Sequence, residues 1–306
     1  MKNIFIDGSY YIFLRYHALT SWYNLAHPEE LAEKQKTSGN PKEKICMTRD
    51  HPNFGMFCDK FKRLFVENIE KLVKKYRSDK KDTDLRIIIA SDCSKKSIWR
   101  FELSASYKEG RKCDDTVKDF FAMAHTEIYP ELMTSGVLGC SVYCISVDSV
   151  EADDILAVAH QKIRSQEDSS AMDQIIIVTN DHDYYQLVDD YTIIDNLRGK
   201  PVTSEKINAI HELVKKIITG DKSDNIPPVI ASAKKIAEQV IVEMGKSEID
   251  YTQAFENVIC NNKNIKQDNI IKAKTQFDIN KIMIDFSFIP KPLKTEIQGK
   301  IDPILI

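Results

Sequence analysis

No stretch of this chain comes near the roughly 20 consecutive apolar residues that cross a bilayer, so no membrane-spanning helix and no membrane partner is expected. The opening MKNIFIDGSYYIF has neither the long apolar region nor the small-residue cleavage site of a signal peptide. The seven cysteines are an odd number in no disulfide framework. Cys140 and Cys144 have neither the spacing nor the second pair of a zinc site. Reduced thiols and a cytoplasmic location are the expectation. Internal repeats and low-complexity tracts are missing. An excess of basic charge is missing too: the formal net charge is −3, which taken alone argues against nucleic-acid binding. The sum hides the distribution, because a cluster of metal-binding acids would offset basic patches elsewhere.

What is present is an ordinary globular composition, 42% hydrophobic and 29% charged over 306 residues, enough for one large domain and a smaller one. The organising stretch is QIIIVTNDHDYYQLV, residues 174–188. Four β-branched residues, Ile175 to Val178, predict a strand buried on both faces, as inside a parallel sheet. It stops at Thr179-Asn180 and delivers Asp181 and Asp183 where α/β sheets place their ligand crevice, beyond the carboxyl ends of the strands. Three other predicted strands end the same way. KNIFI runs into Asp7, with Ser9 placed to cap the helix that follows. LRIIIA runs into Ser91-Asp92, and SVYCISV precedes Glu151, Asp153 and Asp154 at the start of a helix.

The remaining chain reads more coarsely. Residues 20–54, broken by Pro28, Gly39, Pro41 and Pro52, read as a surface excursion with little regular structure. Residues 56–77 have helical spacing with an aromatic core stripe, and 116–138 look helical. Residues 204–219 predict an amphipathic helix closing on Gly220. The turn DKSDNIPP, with Asp221 and Asp224, comes next, then a helix from about Ser232 to Met244. The last 60 residues are mostly helical and polar apart from IMIDFSFIP. The fold expected is α/β, a mostly parallel sheet flanked by helices, with a boundary near residue 203 and a smaller C-terminal helical domain (204–306).

One acid at a strand end needs no function, since it can cap a helix or favour its dipole. Nine acids at four strand ends and one turn form a like-charge group that cations must neutralise. No histidine or cysteine stands with them except His182, expected to point away. An all-oxygen site selects Mg²⁺, or Mn²⁺ as a substitute, over zinc. Two such ions about 4 Å apart can activate a water and stabilise the leaving oxygen of a phosphodiester.

Directly after Asp92, residues 93–112 carry Lys95, Lys96, Arg100, Lys108, Arg111 and Lys112 against Glu102 and Glu109, a local balance of +4. Trp99, Phe101 and Tyr107 are interleaved. Cations for phosphates and aromatics for unpaired bases suit a single strand of nucleic acid; a solvated helix with core aromatics has the same composition.

Taken in order, Ile6-Asp7, Ser91-Asp92, Glu151-Ala152-Asp153-Asp154, Asn180-Asp181-His182-Asp183 and Gly220-Asp221-Lys222-Ser223-Asp224-Asn225-Ile226 resemble the flap endonuclease and 5′→3′ exonuclease family, with its PIN-like nuclease domain. Lys95 with Trp99-Arg100, Tyr107-Lys108 with Arg111, and IMIDFSFIP are similar to the branch of that family formed by the ribonuclease H enzymes of T-even-like bacteriophages, where the cytoplasm would be the host's. The resemblance implies a PIN-like domain over 1–203, with an arch at about 93–125 through which a 5′ single strand threads. It implies Asp7, Asp92, Glu151 and Asp153 as ligands of a first metal, and Asp181, Asp183 and Asp224 of a second, with Asp153 facing both. Asp154 and Asp221 match accessory acids that hold the metals' waters. Lys108 and Arg111 match the pair that engages the scissile phosphate, and Tyr107 becomes a candidate for base stacking. Lys95, Lys96, Arg100 and Lys112 are expected to touch nucleic acid.

One departure is plain. The family's glycine-rich hairpin, which grips duplex through main-chain NH groups, here reads NIPPVIASAKKIA. Close approach of a backbone to phosphates usually needs glycine, and Pro227 and Pro228 have no NH to offer. Duplex contact is expected through Lys222, Lys234 and Lys235 instead. The function implied is a Mg²⁺-dependent 5′→3′ exonuclease and flap endonuclease that removes RNA primers during lagging-strand replication. Its substrates would be DNA and RNA–DNA duplexes with 5′ ends or flaps. A monomer is expected, with replication proteins such as a single-strand-binding protein or sliding clamp as partners. The rivals are a PIN-type single-strand ribonuclease, opposed by the Asp221–Asp224 turn, and a non-catalytic junction binder, opposed by retention of every metal ligand. A phosphatase-like acidic site is a more distant alternative.

Overall fold

The computed structural model describes residues 1–77, 84–110, 115–166 and 173–305. The chain opens with strand β1 (Lys2–Asp7), α1 (Gly8–Ala26), α2 (Pro28–Ser38), α3 (Phe54–Tyr76) and β2 (Leu85–Ser91). Short 3₁₀ turns lead to α4 (Lys118–Met123), a π-turn at Ala124–Ile128, α5 (Tyr129–Thr134), β3 (Ser141–Ser146), α6 (Ala152–Arg164) and β4 (Gln174–Val178). After a 3₁₀ helix at His182–Leu187 come β5 (Thr192–Ile194), α7 (Ala209–Thr219), α8 (Ala233–Ser247), α9 (Tyr251–Asn261), α10 (Gln267–Ile284) and α11 (Lys291–Leu305). The strands form the expected parallel sheet flanked by helices, in the order β3-β2-β1-β4-β5. Its edge pair β4–β5 sets Ile176 opposite Ile193. The interior of β4 is buried from Ile175 to Val178, as four β-branched residues in succession require.

The chain divides into two compact units, Met1–Ile89 with Cys113–Cys144, and Ala90–Lys112 with Ile145–Ile306. The first has an aromatic core. Phe61 and Phe65 of α3 pack with Phe120 and Tyr11, Tyr11 meeting Phe65 edge-on at 4.8 Å and Phe61 meeting Phe120 at 5.0 Å. The second is built around α7, α8, α9 and α10, where Val214, Ile217, Val240, Ile259 and Ala273 are fully buried.

Three sequence expectations are corrected. The segment 20–54 is not an irregular excursion: α1 runs on to Ala26, and α2 follows with Pro28 at its first turn, Glu29 and Glu30 beside the dipole, and Gly39 closing it at φ 65°. The punctuation that suggested a loop is that of a helix start and stop. Only 40–53 lacks regular elements, and it is tied down by Asn24, whose amide bonds both the N and the O of Ile45 (2.9 and 3.1 Å). Next, Ser9 does not cap α1. Asp7 does, accepting from Tyr10 N at 3.0 Å. Finally, α7 starts at Ala209 rather than 204, because Asn208 caps it by accepting from His211 N.

Candidate metal centre

Strand ends and one turn of the second unit bring most of the predicted acids into a single network. Glu151 is the N-cap of α6, and Glu151 with Asp154 forms a reciprocal capping box in which Glu151 N donates to Asp154 Oδ2 at 3.1 Å. Asp92 anchors the same helix start, accepting from Ala152 N at 2.8 Å. Asp181 caps the 3₁₀ helix after β4 by accepting from Asp183 N at 2.9 Å. His182 turns outward and stacks on Tyr185 at 4.6 Å. The Asp221–Asp224 turn is closed by two backbone bonds, Asp221 N to Ile226 O (2.9 Å) and Ile226 N to Asp221 O (2.8 Å).

Among the described residues, Asp183, Asp221 and Asp224 form the one group of three or more potential ligands whose donor atoms all lie within 4.8 Å of one another. The donors are all carboxylate oxygens, the set that hard divalent cations prefer. A cation already stands there: the Lys216 ammonium pairs with Asp183, and with Asp221 at 2.7 Å. Burial would raise the Asp221 carboxyl, but the Lys216 bond outweighs it and brings the pKa down to about 2. The donor chemistry and the attraction of a cation to this point both fit a bound metal ion. Asp7 belongs to the other compact unit, where it caps α1.

The second half of the network surrounds Glu151. Arg100, 3% exposed, donates to Glu151 Oε2 (3.0 Å) and grips both oxygens of Asp154 (2.8 and 2.9 Å). Trp99 Nε1 adds a third bond to Asp154 at 3.0 Å. Tyr107 Oη reaches Glu151 (2.9 Å) and Asp224 (3.1 Å), and the Lys108 ammonium pairs with Glu151 and lies 3.9 Å from Asp224. Burial opposes charge on Glu151, but Lys108 and Arg100 outweigh it and hold its carboxyl below the ordinary range. Burial likewise opposes the Lys108 cation, and Glu151 and Asp224 reverse that and raise it. Asp153 goes the other way. Burial and the adjacent Asp154 and Glu151 push its carboxyl well up, against Arg100. Lys108 sits at φ 52°, uncommon for a side-chain-bearing residue, with its N–H bonded to Asp224 O at 2.9 Å and its C=O to Lys95 Nζ at 3.0 Å.

Two expectations change here. Tyr107 is 2% exposed and its hydroxyl is committed to acids, so it is no base-stacking platform in this geometry. Arg100 is the buried counter-ion of Glu151 and Asp154 and not a surface contact, because two buried carboxylates need a partner that Lys95 and Lys96, both exposed, do not supply. Asp154 is fully buried with both oxygens occupied. Lys222, Lys234 and Lys235 are exposed. Arg111 and Lys112 lie outside the described residues. Sequence reasoning missed Lys216, whose only local signal is its place five residues before Asp221, and it missed Asn280 on α10.

A family model described as the 5′-3′ exonuclease, N-terminal resolvase-like domain, matches residues 2–219. DNA polymerase I of Streptococcus pneumoniae serotype 4 is 27% identical over 209 residues, 64% of this chain and 22% of that protein. The chain thus spans about a fifth of the length of that curated relative. A 5′-3′ exonuclease of Buchnera aphidicola is 27% identical over 217 residues, 68% of this chain and 64% of the other. Among solved structures, bacteriophage T5 5′-exonuclease with zinc bound superposes with a TM-score of 0.61 at 16% identity, covering all of both chains (100% each). A bacteriophage T5 flap endonuclease complex with DNA and metal ions gives 0.59 at 15% identity, covering 100% of this chain and 99% of that one. At those identities the superpositions speak for the fold.

Proposed function

The chain belongs to the 5′-3′ exonuclease N-terminal resolvase-like domain family, and from that premise we propose that it is a Mg²⁺-dependent 5′ nuclease cutting DNA and RNA–DNA duplexes near 5′ ends and flaps. The observation that carries this reading is the convergence of Asp183, Asp221 and Asp224 on one point, within 4.8 Å, at the end of β4 and the turn after α7. Asp183 and Asp224, with Asp181 and with Asp221 beside them, would hold one divalent ion, and Asp92, Glu151 and Asp153 another. When bound, such ions supply Lewis acidity to a phosphodiester and lower the pKa of water.

The chain's own groups do the positioning. The Lys108 ammonium, suspended between Glu151 and Asp224, would meet the scissile phosphate. Tyr107 and Arg100 both donate to one oxygen of Glu151 and fix its orientation. Exposed Lys95 and Lys96 would attract a single strand, and Lys222, Lys234 and Lys235 a duplex. Residues 1–203 would form the nuclease domain and 204–306 a helical DNA-binding domain. The role would be removal of RNA primers and adjacent DNA in lagging-strand replication, by a monomer working beside a single-strand-binding protein or a clamp.

The test is cleavage of a 5′-labelled RNA–DNA duplex and of a flap, each with Mg²⁺ and with chelator. Asp153→Asn and Asp181→Asn should each abolish cleavage while binding holds or strengthens, since a charge facing phosphates is removed. Cleavage surviving above a few per cent in both variants would take these residues out of the catalytic set.

A further inference from the structure

The C-terminal end of α10, where IMIDFSFIP begins, bonds both limbs of the Asp221–Asp224 turn, the Gln186 side chain of the Asp183 segment, and the Arg100 side chain that grips Glu151 and Asp154. Asn280 has no exposed surface. Its amide nitrogen donates to Ile217 O on α7 (2.8 Å) and to Pro227 O (2.9 Å), the two limbs of the turn carrying Asp221 and Asp224. Its oxygen accepts from Gln276 Nε2 at 2.8 Å. Nearer the helix end, where carbonyls have no partner within the helix, Met283 O accepts from Arg100 Nε at 2.8 Å. Ile284 O accepts from Gln186 Nε2 at 3.0 Å, and Phe286 N returns a bond to Gln186 Oε1 at 3.1 Å. Gln186 also donates to Asp183 O at 3.0 Å.

Beside the backbone bonds that close the turn, one primary amide ties the two limbs together from α10. Only an amide or a comparable two-proton donor can serve both carbonyls at once, and losing it leaves buried acceptors unpaired. The partners are 63 and 53 residues from Asn280 in sequence, and Asn280 lies beyond the segment 2–219 that the family model matches.

We propose that Asn280 is a positioning residue: from the helical region it sets the spacing of Asp183, Asp221 and Asp224, and with it the affinity of that trio for a divalent cation. The inference rests on the reading of the trio as a metal site. Partners outside the ligand set commonly change metal affinity 10- to 100-fold.

The experiment measures Mn²⁺ binding to the intact protein without substrate, by titration calorimetry and by the paramagnetic signal of free Mn²⁺, alongside thermal denaturation. Asn280→Ala should weaken the trio's site about tenfold or more, with cleavage recovering as Mn²⁺ is raised. Gln276→Leu, which removes only the bond orienting the amide, should weaken it less, about threefold. The control is Asn24→Ala. Asn24 is also a buried asparagine bonded to two carbonyls, Thr20 O and Ile45 O (2.7 and 3.1 Å), but it belongs to the other unit. That variant should lose stability and keep its Mn²⁺ affinity. A folded Asn280→Ala that binds Mn²⁺ like wild type overturns the proposal, as does an equal loss in Asn24→Ala. Should Asn280→Ala not fold, unchanged affinity in Gln276→Leu overturns it. A wild-type protein that binds no Mn²⁺ would sink the metal reading itself.

Discussion

Gly220→Ala tests the construction of the Asp221–Asp224 turn more directly than any change to the acids. Gly220 ends α7 at φ 69° and ψ −176°, a region that residues with a Cβ avoid. Forcing alanine there costs about 1–3 kcal/mol. The methyl carbon would stand 2.3 Å from Ile226 O and 2.6 Å from the carbonyl carbon and oxygen of Pro227. Those atoms are backbone and cannot rotate away, so the limb from Ile226 to Pro227 must retreat by about 1 Å to reach ordinary contact. The two Asp221–Ile226 bonds would stretch or break with it, at about 0.5–1.5 kcal/mol each. A total loss of about 2–6 kcal/mol follows. Because Asp224 stands two residues before the moving limb and Asp221 is bonded to Ile226 across the turn, cleavage should fall by about 10²-fold, the usual result of an ångström-scale misplacement. Urea denaturation and single-turnover cleavage in saturating Mg²⁺ read the two effects separately. Gly299→Ala is the internal comparison: it lies inside α11, where an added methyl would meet nothing within 4 Å, and should be neutral or stabilising by up to about 1 kcal/mol. Wild-type stability and rate in Gly220→Ala would refute the close-approach argument.

Arg100→Met should destabilise the protein by about 3–5 kcal/mol, since it strands the buried Asp154 and Glu151 carboxylates; chemical denaturation should show Asp154→Asn recovering part of the loss in the double variant. Asp221 ionises more readily folded than unfolded, its pKa falling from 3.8 to about 2, so its contribution is full above the unfolded value and is lost as pH drops through the folded one. Stability should therefore decline between roughly pH 4 and 2, and Lys216→Met should flatten that part of a denaturation-midpoint profile. Lys234→Ala combined with Lys235→Ala should weaken duplex binding and reduce its salt slope by up to about 2. Wild-type affinity should be equal in KCl and NaCl at matched concentration, and a clear potassium preference would show that the turn binds a specific cation through its backbone.

The strands that carry the acids were legible because their signal is local. Four β-branched residues from Ile175 to Val178 favour a buried strand, and Asp181 and Asp224 follow elements whose ends are marked by Asn180 and by Gly220. Segment 20–54 was misread because Pro28 and Gly39 punctuate helices as readily as loops. The basic stretch after Asp92 was ambiguous for a physical reason. Lys, Arg and Tyr in alternation have the same composition whether they face solvent or buried acids. Arg100 and Tyr107 face acids, and that depends on where Glu151 and Asp154 arrive from 44 to 54 residues away. Asn280 was invisible for the same cause in stronger form, since nothing near it in sequence hints at the carbonyls it serves. Lys216 looked like the polar face of an amphipathic helix.

The lysines among the acids also bear on the order of events in making this protein. Lys108 pairs with Glu151, and Lys216 with Asp183 and Asp221, so the chain carries its own counter-charge into the place where acids crowd. With that charge offset, completing the fold should not require a divalent ion, and denaturation midpoints with and without chelator should agree. Supply of the metal would then bear on activity and leave stability to the chain itself.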